Sequence, residues 1–225
     1  LPERPRQAWE QLRDELRTTL AGDLVAVWAY GGSVAAGMGG INRHRGDLDT
    51  YVIVRRKIGE RTASGIEAAQ AAIGAELGAE WDTWVVLEND ARRPEAPAHA
   101  YRHDRRDTSW AINRAHWLAG RYAHLHGAHP AEVVPAPTWP ELTVDLDREL
   151  EHLEAHVANG DTDAFEATYA VLNGSRILRA LATKDVAISK REAGDWALEH
   201  LPDRWHPTLG AAIRAYEERP GSEDV

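Results

Sequence analysis

Apolar residues recur every third or fourth position between Pro5 and Leu20, at Trp9, Leu12, Leu16 and Leu20, the spacing that lines one face of an amphipathic helix. After "AGD" the period breaks. "LVAVWAY", Leu24 to Tyr30, is an unbroken apolar run bounded by Gly22 and Gly31, and "LDTYVIV" is a second that ends in Arg55, Arg56 and Lys57. Both predict buried strands. Ile66, Ala69, Ile73 and Leu77 predict a helix from Ser64 to Leu77, and "WDTWVVL", Trp81 to Leu87, predicts a third strand. Strands that are apolar throughout are covered on both faces, so this part of the chain predicts a small α/β unit.

Helix dominates the remainder. A polar, proline-containing loop, "ENDARRPEAPAHAYRHDRRD", leads to a helix predicted around Trp110 to Leu125. "GAHPAEVVPAPTWPEL" then holds four prolines, which excludes a long helix and marks the expected boundary between domains at 1–135 and 136–225. Beyond it, Leu146, Leu150, Leu153 and Val157 fall at helical spacing, and a second helix runs through "FEATYAVLNGSRILRALAT". "SKREAGDWALEHL" opens with Ser189 and Glu192 spaced as a capping box, and Pro207 suits the first position of a final helix.

Charge narrows the range of partners. With 36 acidic against 26 basic side chains the net charge is -10, which disfavours nucleic acid and suits a cationic small molecule. The absence of cysteine excludes a disulfide framework and thiolate metal ligation. The longest apolar run falls far short of the roughly 20 residues of a membrane span, and no basic stretch followed by a long apolar core opens the chain. The expectation is a cytoplasmic protein with no membrane partner; its oligomeric state is not legible.

The chemistry concentrates in "YGGSVAAGMGGINRHRGDLDTYVIV", Tyr30 to Val54. Asp47 and Asp49 are two apart and share one face of a strand. Paired carboxylates on an apolar strand repel each other and invite a hard divalent cation such as Mg²⁺. Gly32 and Ser33 follow directly on a buried strand, where backbone N–H groups can cradle phosphate oxygens. Asp82, in "EWDTWVVL", supplies a third carboxylate if its strand lies beside that of Asp47, and Glu80 has the same parity and rivals it. Such a cluster can hold metal, neutralise a triphosphate and take a proton from an attacking hydroxyl.

At this point the chain resembles the aminoglycoside nucleotidyltransferases of the streptomycin 3''-adenylyltransferase type, within the polymerase-β-like nucleotidyltransferase superfamily. "YGGSVAAG" followed by "GDLDTYVIV" is similar to the family's Gly-Ser turn and Asp-x-Asp strand. "LNGSRILRALATKDVAISKREAGDWALEHLPDRWHPTLGAAIRAY" resembles its helical segment, and "HGAHPAEVVPAPTWPEL" its interdomain linker. The resemblance implies an α/β nucleotidyltransferase domain, a small mixed sheet flanked by helices, followed by an all-α helical bundle. It implies Mg²⁺-dependent transfer of AMP from ATP to an aminoglycoside hydroxyl, of the streptomycin or spectinomycin kind. Asp47 and Asp49 would bind metal together with Asp82, which would also be the catalytic base in place of the family's glutamate. Gly32, Ser33, Arg176, Lys190 and Tyr216 would contact ATP, and Glu166 the drug.

The connection "AAGMGGINRHR" is longer than the family pattern, and the chain stops soon after Tyr216. Two other readings stay open: transfer to another hydroxylated metabolite or a protein side chain, and a non-catalytic nucleotide or drug sensor. The histidines of "HLHGAHP" and the pair His152 and His156 lack the His-Glu-x-x-His order and are not read as a zinc site. The scattered tryptophans are read as packing.

Overall fold

A computed structural model describes residues 3–31, 47–77, 80–158 and 163–217. The α/β half comprises α1 (Glu3–Leu20), β1 (Leu24–Ala29), β2 (Asp47–Val54), α2 (Glu60–Leu77), β3 (Glu80–Leu87), the short α3 (Glu88–Ala91), α4 (Trp110–Leu118) and β4 (Ala123–Gly127). After a single turn, α5 (Pro130–Val133), follow α6 (Trp139–Ala158), α7 (Ala164–Thr183), α8 (Lys190–His200) and α9 (His206–Glu217). The four strands run in the order β3-β2-β1-β4. β1 is antiparallel to β2 and β4, whereas β2 and β3 are parallel, so the sheet is mixed as expected.

The alternation along β2 divides the core. Leu48, Val52 and Val54 point to one face and meet Trp9, Leu12 and Leu16 of α1 and Ile66 and Ile73 of α2. Trp9 is fully buried there and donates its indole N–H to Thr50 Oγ1 at 3.1 Å. Tyr51 and Ile53 point to the other face, with Ala26 and Trp28 of β1 and Val86 of β3, against Trp110 and Trp117 of α4. The rings of Tyr51 and Trp117 are 4.6 Å apart and those of Trp28 and Trp117 5.3 Å. Three of the scattered tryptophans thus converge on one sheet face.

The helix predicted to reach Leu125 ends at Leu118, and the next residues form a strand that sequence periodicity did not reveal. Gly120 adopts φ 81°, a conformation that ends a helix at little cost only for glycine. "AHLHG" then pairs along the β1 edge. It is a half-exposed edge strand, so it carries no apolar run to announce it. In α6, Leu146 and Leu153 are buried as expected, whereas Leu150 and Val157 are exposed. The stripe that packs runs instead through Leu142, Leu146 and Leu153. Ser189 and Glu192 form the expected capping box, with Glu192 N–H donating to Ser189 Oγ at 3.2 Å and Ser189 N–H to the Glu192 carboxylate at 2.8 Å. Among the described residues no helix is long and apolar enough to cross a membrane.

Helix α4 serves both cores. Trp110 and Trp117 enter the sheet core, while Ala111, Ile112 and Ala115 pack with Leu142 and Leu146 of α6 and Ile177 of α7. Asp145 of α6 accepts the Ala111 N–H at 2.7 Å, so a carboxylate from the helical half caps a helix of the sheet half. The Arg114 side chain is 0% exposed; it pairs with Glu141 of α6 and donates to the carbonyls of Pro94 and Pro135. Removing one partner of a buried ion pair leaves the other charge uncompensated. Glu141→Ala is therefore expected to cost about 3 kcal/mol of unfolding free energy in urea titrations, with Glu141→Gln recovering part. A change within about 0.5 kcal/mol for the alanine variant would contradict this role.

Candidate active site

Asp49 and Asp82 are register partners on the parallel strands β2 and β3. Adjacent strands lie about 4.8 Å apart, so the two carboxylates are neighbours. Each also shares its sheet face with the aromatic cluster, Asp49 through Tyr51 and Asp82 through Trp84 and Val86, and this is the face on which α4 lies. Asp47 and Glu80 pair one step earlier on the same strands; their side chains are outside the described residues, as are Gly32 and Ser33 altogether.

The turn after β1 closes onto this pair. Tyr30 N–H donates to the Asp49 carbonyl at 3.0 Å, and Gly31 sits at φ 80° with the Asp49 carboxylate against its Cα. A Cβ there would overlap that carboxylate. Burial, and then the charges of Asp49, Asp107 and Asp82, push the Tyr30 phenol well above its ordinary pKa. Burial likewise raises the Asp82 pKa, opposed by the positive charges of Arg105 and Arg102. These arginines lie in the loop after β3, where Arg105 stands over the Trp84 ring at 5.4 Å.

The facing wall comes from the helical half. Tyr169 and Arg176 are seven residues apart on α7, two turns along one face. The Tyr169 hydroxyl donates to Glu149 of α6 at 3.2 Å, and Lys190, at the start of α8, places Nζ 4.4 Å from the Tyr169 ring centre. Burial and then Glu149 push the Tyr169 pKa up to about 12, and Asp49 adds to the rise, so Asp49 lies within electrostatic reach of Tyr169. The Arg176 guanidinium donates to Asn173 Oδ1 at 3.2 Å and to His116 Nε2 of α4 at 3.0 Å. Burial lowers its pKa while Glu149, Tyr169 and Tyr216 raise it, so Tyr216 belongs to the same cluster. It remains a cation at any working pH.

The sequence-predicted residues Asp49 and Asp82 therefore meet on one wall, and Arg176, Lys190 and Tyr216 on the other. Glu166 lies one turn before Tyr169, in the first turn of α7, where its carboxylate accepts the Asp163 N–H at 3.1 Å in a capping box. Sequence reasoning missed Gly31, Tyr30, Glu149, Tyr169 and His116. The seven-residue spacing to Arg176 was the available sign for Tyr169. Glu149 and His116 come from other helices and carried none.

Known proteins resemble this chain in its C-terminal sequence and in its whole fold. Residues 143–224 match the family described as "Aminoglycoside adenylyltransferase, C-terminal domain" (AadA_C). The whole fold is similar to spectinomycin adenyltransferase AAD(9) from Enterococcus faecialis, solved with ATP and spectinomycin, at a TM-score of 0.73 and 14% identity, covering 94% of this chain and 89% of that one. Comparison with curated proteins finds no match. The α/β-plus-helical architecture expected from the sequence is borne out by the second likeness.

The chemistry of the donor set is compatible with a hard cation. Asp49 and Asp82 are oxygen donors on adjoining strands, and a divalent ion between them would offset their repulsion. Among the described residues no three metal-ligating side chains come together, and Asp47, whose side chain is not described, would be the third ligand. Replacing Gly31 with alanine would displace Asp49. Gly31→Ala is expected to lower turnover about 100-fold, as a roughly 1 Å misplacement does, and to lower the melting temperature by a few degrees because alanine is strained at this positive φ. Near-normal turnover would show that Asp49 does not act through its present position.

Proposed function

We propose that the protein transfers AMP from ATP to a hydroxyl of an aminoglycoside of the streptomycin or spectinomycin type, releasing pyrophosphate. The observation that carries this reading is the opposition of two walls. Asp49 and Asp82 lie in register on one, and Arg176 and Lys190 gather around Tyr169 on the other, with Asp49 close enough to perturb Tyr169. Oxygen ligands on one side and fixed cations on the other suit a triphosphate bound between them. The division near residue 135 would then separate the carboxylate-bearing domain from the cation-bearing one, and the site of action would be the cytoplasm.

Each residue has a distinct task in this reading. Asp47 and Asp49, with Asp82, would hold Mg²⁺, which when bound offsets phosphate charge and stabilises charge developing at phosphorus. Asp82 takes the proton of the acceptor hydroxyl as its oxygen attacks the α-phosphorus; its raised pKa suits a base. Glu80 stands beside Asp47 in register and is the rival for this task. Arg176 offers a fork and Lys190 a point charge to the triphosphate oxygens, and the departing pyrophosphate keeps those contacts. Tyr216 lines the nucleotide side, and the Gly32–Ser33 turn would meet phosphate. Glu166 and the overall charge of -10 favour a cationic acceptor.

A second reading keeps the reaction and changes the acceptor. Arg102 and Arg105 act electrostatically on Asp82, and positive charge beside the base opposes a polycationic drug while tolerating a neutral or anionic hydroxylated metabolite. Purified protein with ATP and Mg²⁺ is expected to release pyrophosphate with at least one aminoglycoside of a broad panel. Asp49→Asn is expected to lower that rate by about 1,000-fold or more, as loss of a metal ligand's charge at the reacting centre does. Turnover confined to metabolites favours the second reading, and no turnover with either class overturns both.

A further inference from the structure

Arg176 is one of the two cations assigned to the triphosphate, and its hold on position comes from the other half of the molecule. One guanidinium nitrogen donates to Asn173 Oδ1 on its own helix, and a second donates to His116 Nε2 across the junction, at 3.0 Å. Arginine has no acceptor, so this contact exists only if Nε2 carries no proton. The remaining proton then lies on Nδ1, which by elimination is the ring nitrogen left to interact with the Val186 backbone, in the loop between α7 and α8. Both ring nitrogens are thereby committed, and one tautomer is selected.

The surroundings favour that neutral state. Burial, then Arg176 and Arg121, push the His116 pKa down to about 3, against weaker opposite effects of Val186 and Asp185. Arg176 in turn is faced by Glu149, Tyr169, Tyr216 and Arg121. Glu149 attracts the guanidinium and also accepts from Tyr169. His116 is on α4, the helix whose tryptophans are fixed in the sheet core, so its acceptor nitrogen refers Arg176 to the same frame as Asp49 and Asp82.

We propose that His116 is a positioning residue: its neutral Nε2 aims the Arg176 guanidinium at the nucleotide phosphates while Nδ1 anchors the ring on Val186. This rests on the reading of Arg176 as a phosphate partner. It differs from a packing role because it predicts an effect on nucleotide recognition that follows the acceptor atom and not the side-chain volume.

Asn and Gln separate these roles. In His116→Asn the amide reaches only the Nδ1 position, so the Val186 contact survives and the Arg176 contact is lost; in His116→Gln the amide oxygen reaches the Nε2 position. Steady-state kinetics at saturating acceptor are expected to give a KM for ATP about tenfold higher in His116→Asn, the loss of one charge-assisted hydrogen bond. The kcat should stay within about threefold, and His116→Gln should return KM to within about threefold of wild type. In an Arg176→Ala background, adding His116→Asn should change KM by less than about twofold, because the bond is already gone. An unchanged KM in His116→Asn beside a raised one in Arg176→Ala overturns the positioning role alone. An unchanged KM in Arg176→Ala overturns the phosphate reading and this inference with it.

Discussion

Everything in the two-walled arrangement depends on α4 being fixed from both sides. Its tryptophans are sealed into the sheet core, its alanines and Ile112 pack on the helical half, and Asp145 of that half holds its first N–H groups. Arg114 completes the junction as a buried cation paired with Glu141 and held by the Pro94 and Pro135 carbonyls. A guanidinium without exposure tolerates little rearrangement, since every alternative position leaves its charge uncompensated. The junction helix thus links the sheet that bears Asp49 and Asp82 to the helices that bear Arg176 and Tyr169.

The walls are electrostatically unlike, and the chemistry assigned to the cleft follows from that. The sheet contributes the carboxylates of Asp49 and Asp82; the helices contribute Arg176, near Glu149, and Lys190, over the ring of Tyr169. In the proposed reading, a polyanion carrying a divalent ion lies between these two groups. The overall likeness to a solved adenyltransferase shows that this fold is shared, and residues 143–224 are similar to an adenylyltransferase C-terminal domain.

The parts of the fold legible in the sequence are those where one physical signal acts alone. The apolar runs of β1, β2 and β3 are covered on both faces and could be nothing but core, and the Ser189–Glu192 box announces the start of α8. β4 escaped notice because an edge strand with alternating exposure has no apolar run, and the turn that precedes it depends on one glycine with positive φ. Asp49 and Asp82 were legible through strand parity, and the register of β2 on β3 makes them neighbours. Arg176, Lys190 and Tyr216 were singled out only through family resemblance, because a helical cation or tyrosine gives the same sequence signal whether it faces water or a neighbouring helix. Glu149, His116 and Gly31 were not legible at all: each acts through a residue brought to it by tertiary packing, Glu149 through Tyr169, His116 through Arg176, and Gly31 through Asp49.

The central claim is that one ATP is held between Asp49 and Asp82 on one side and Arg176 and Lys190 on the other. A crystal structure with Mg²⁺ and a non-hydrolysable ATP analogue tests it most directly. The account predicts metal density bounded by Asp47 and Asp49, triphosphate oxygens within hydrogen-bond distance of Arg176 and Lys190, and the α-phosphorus facing Asp82. A nucleotide bound elsewhere, or one that leaves the Asp49–Asp82 pair without metal or phosphate, would contradict it.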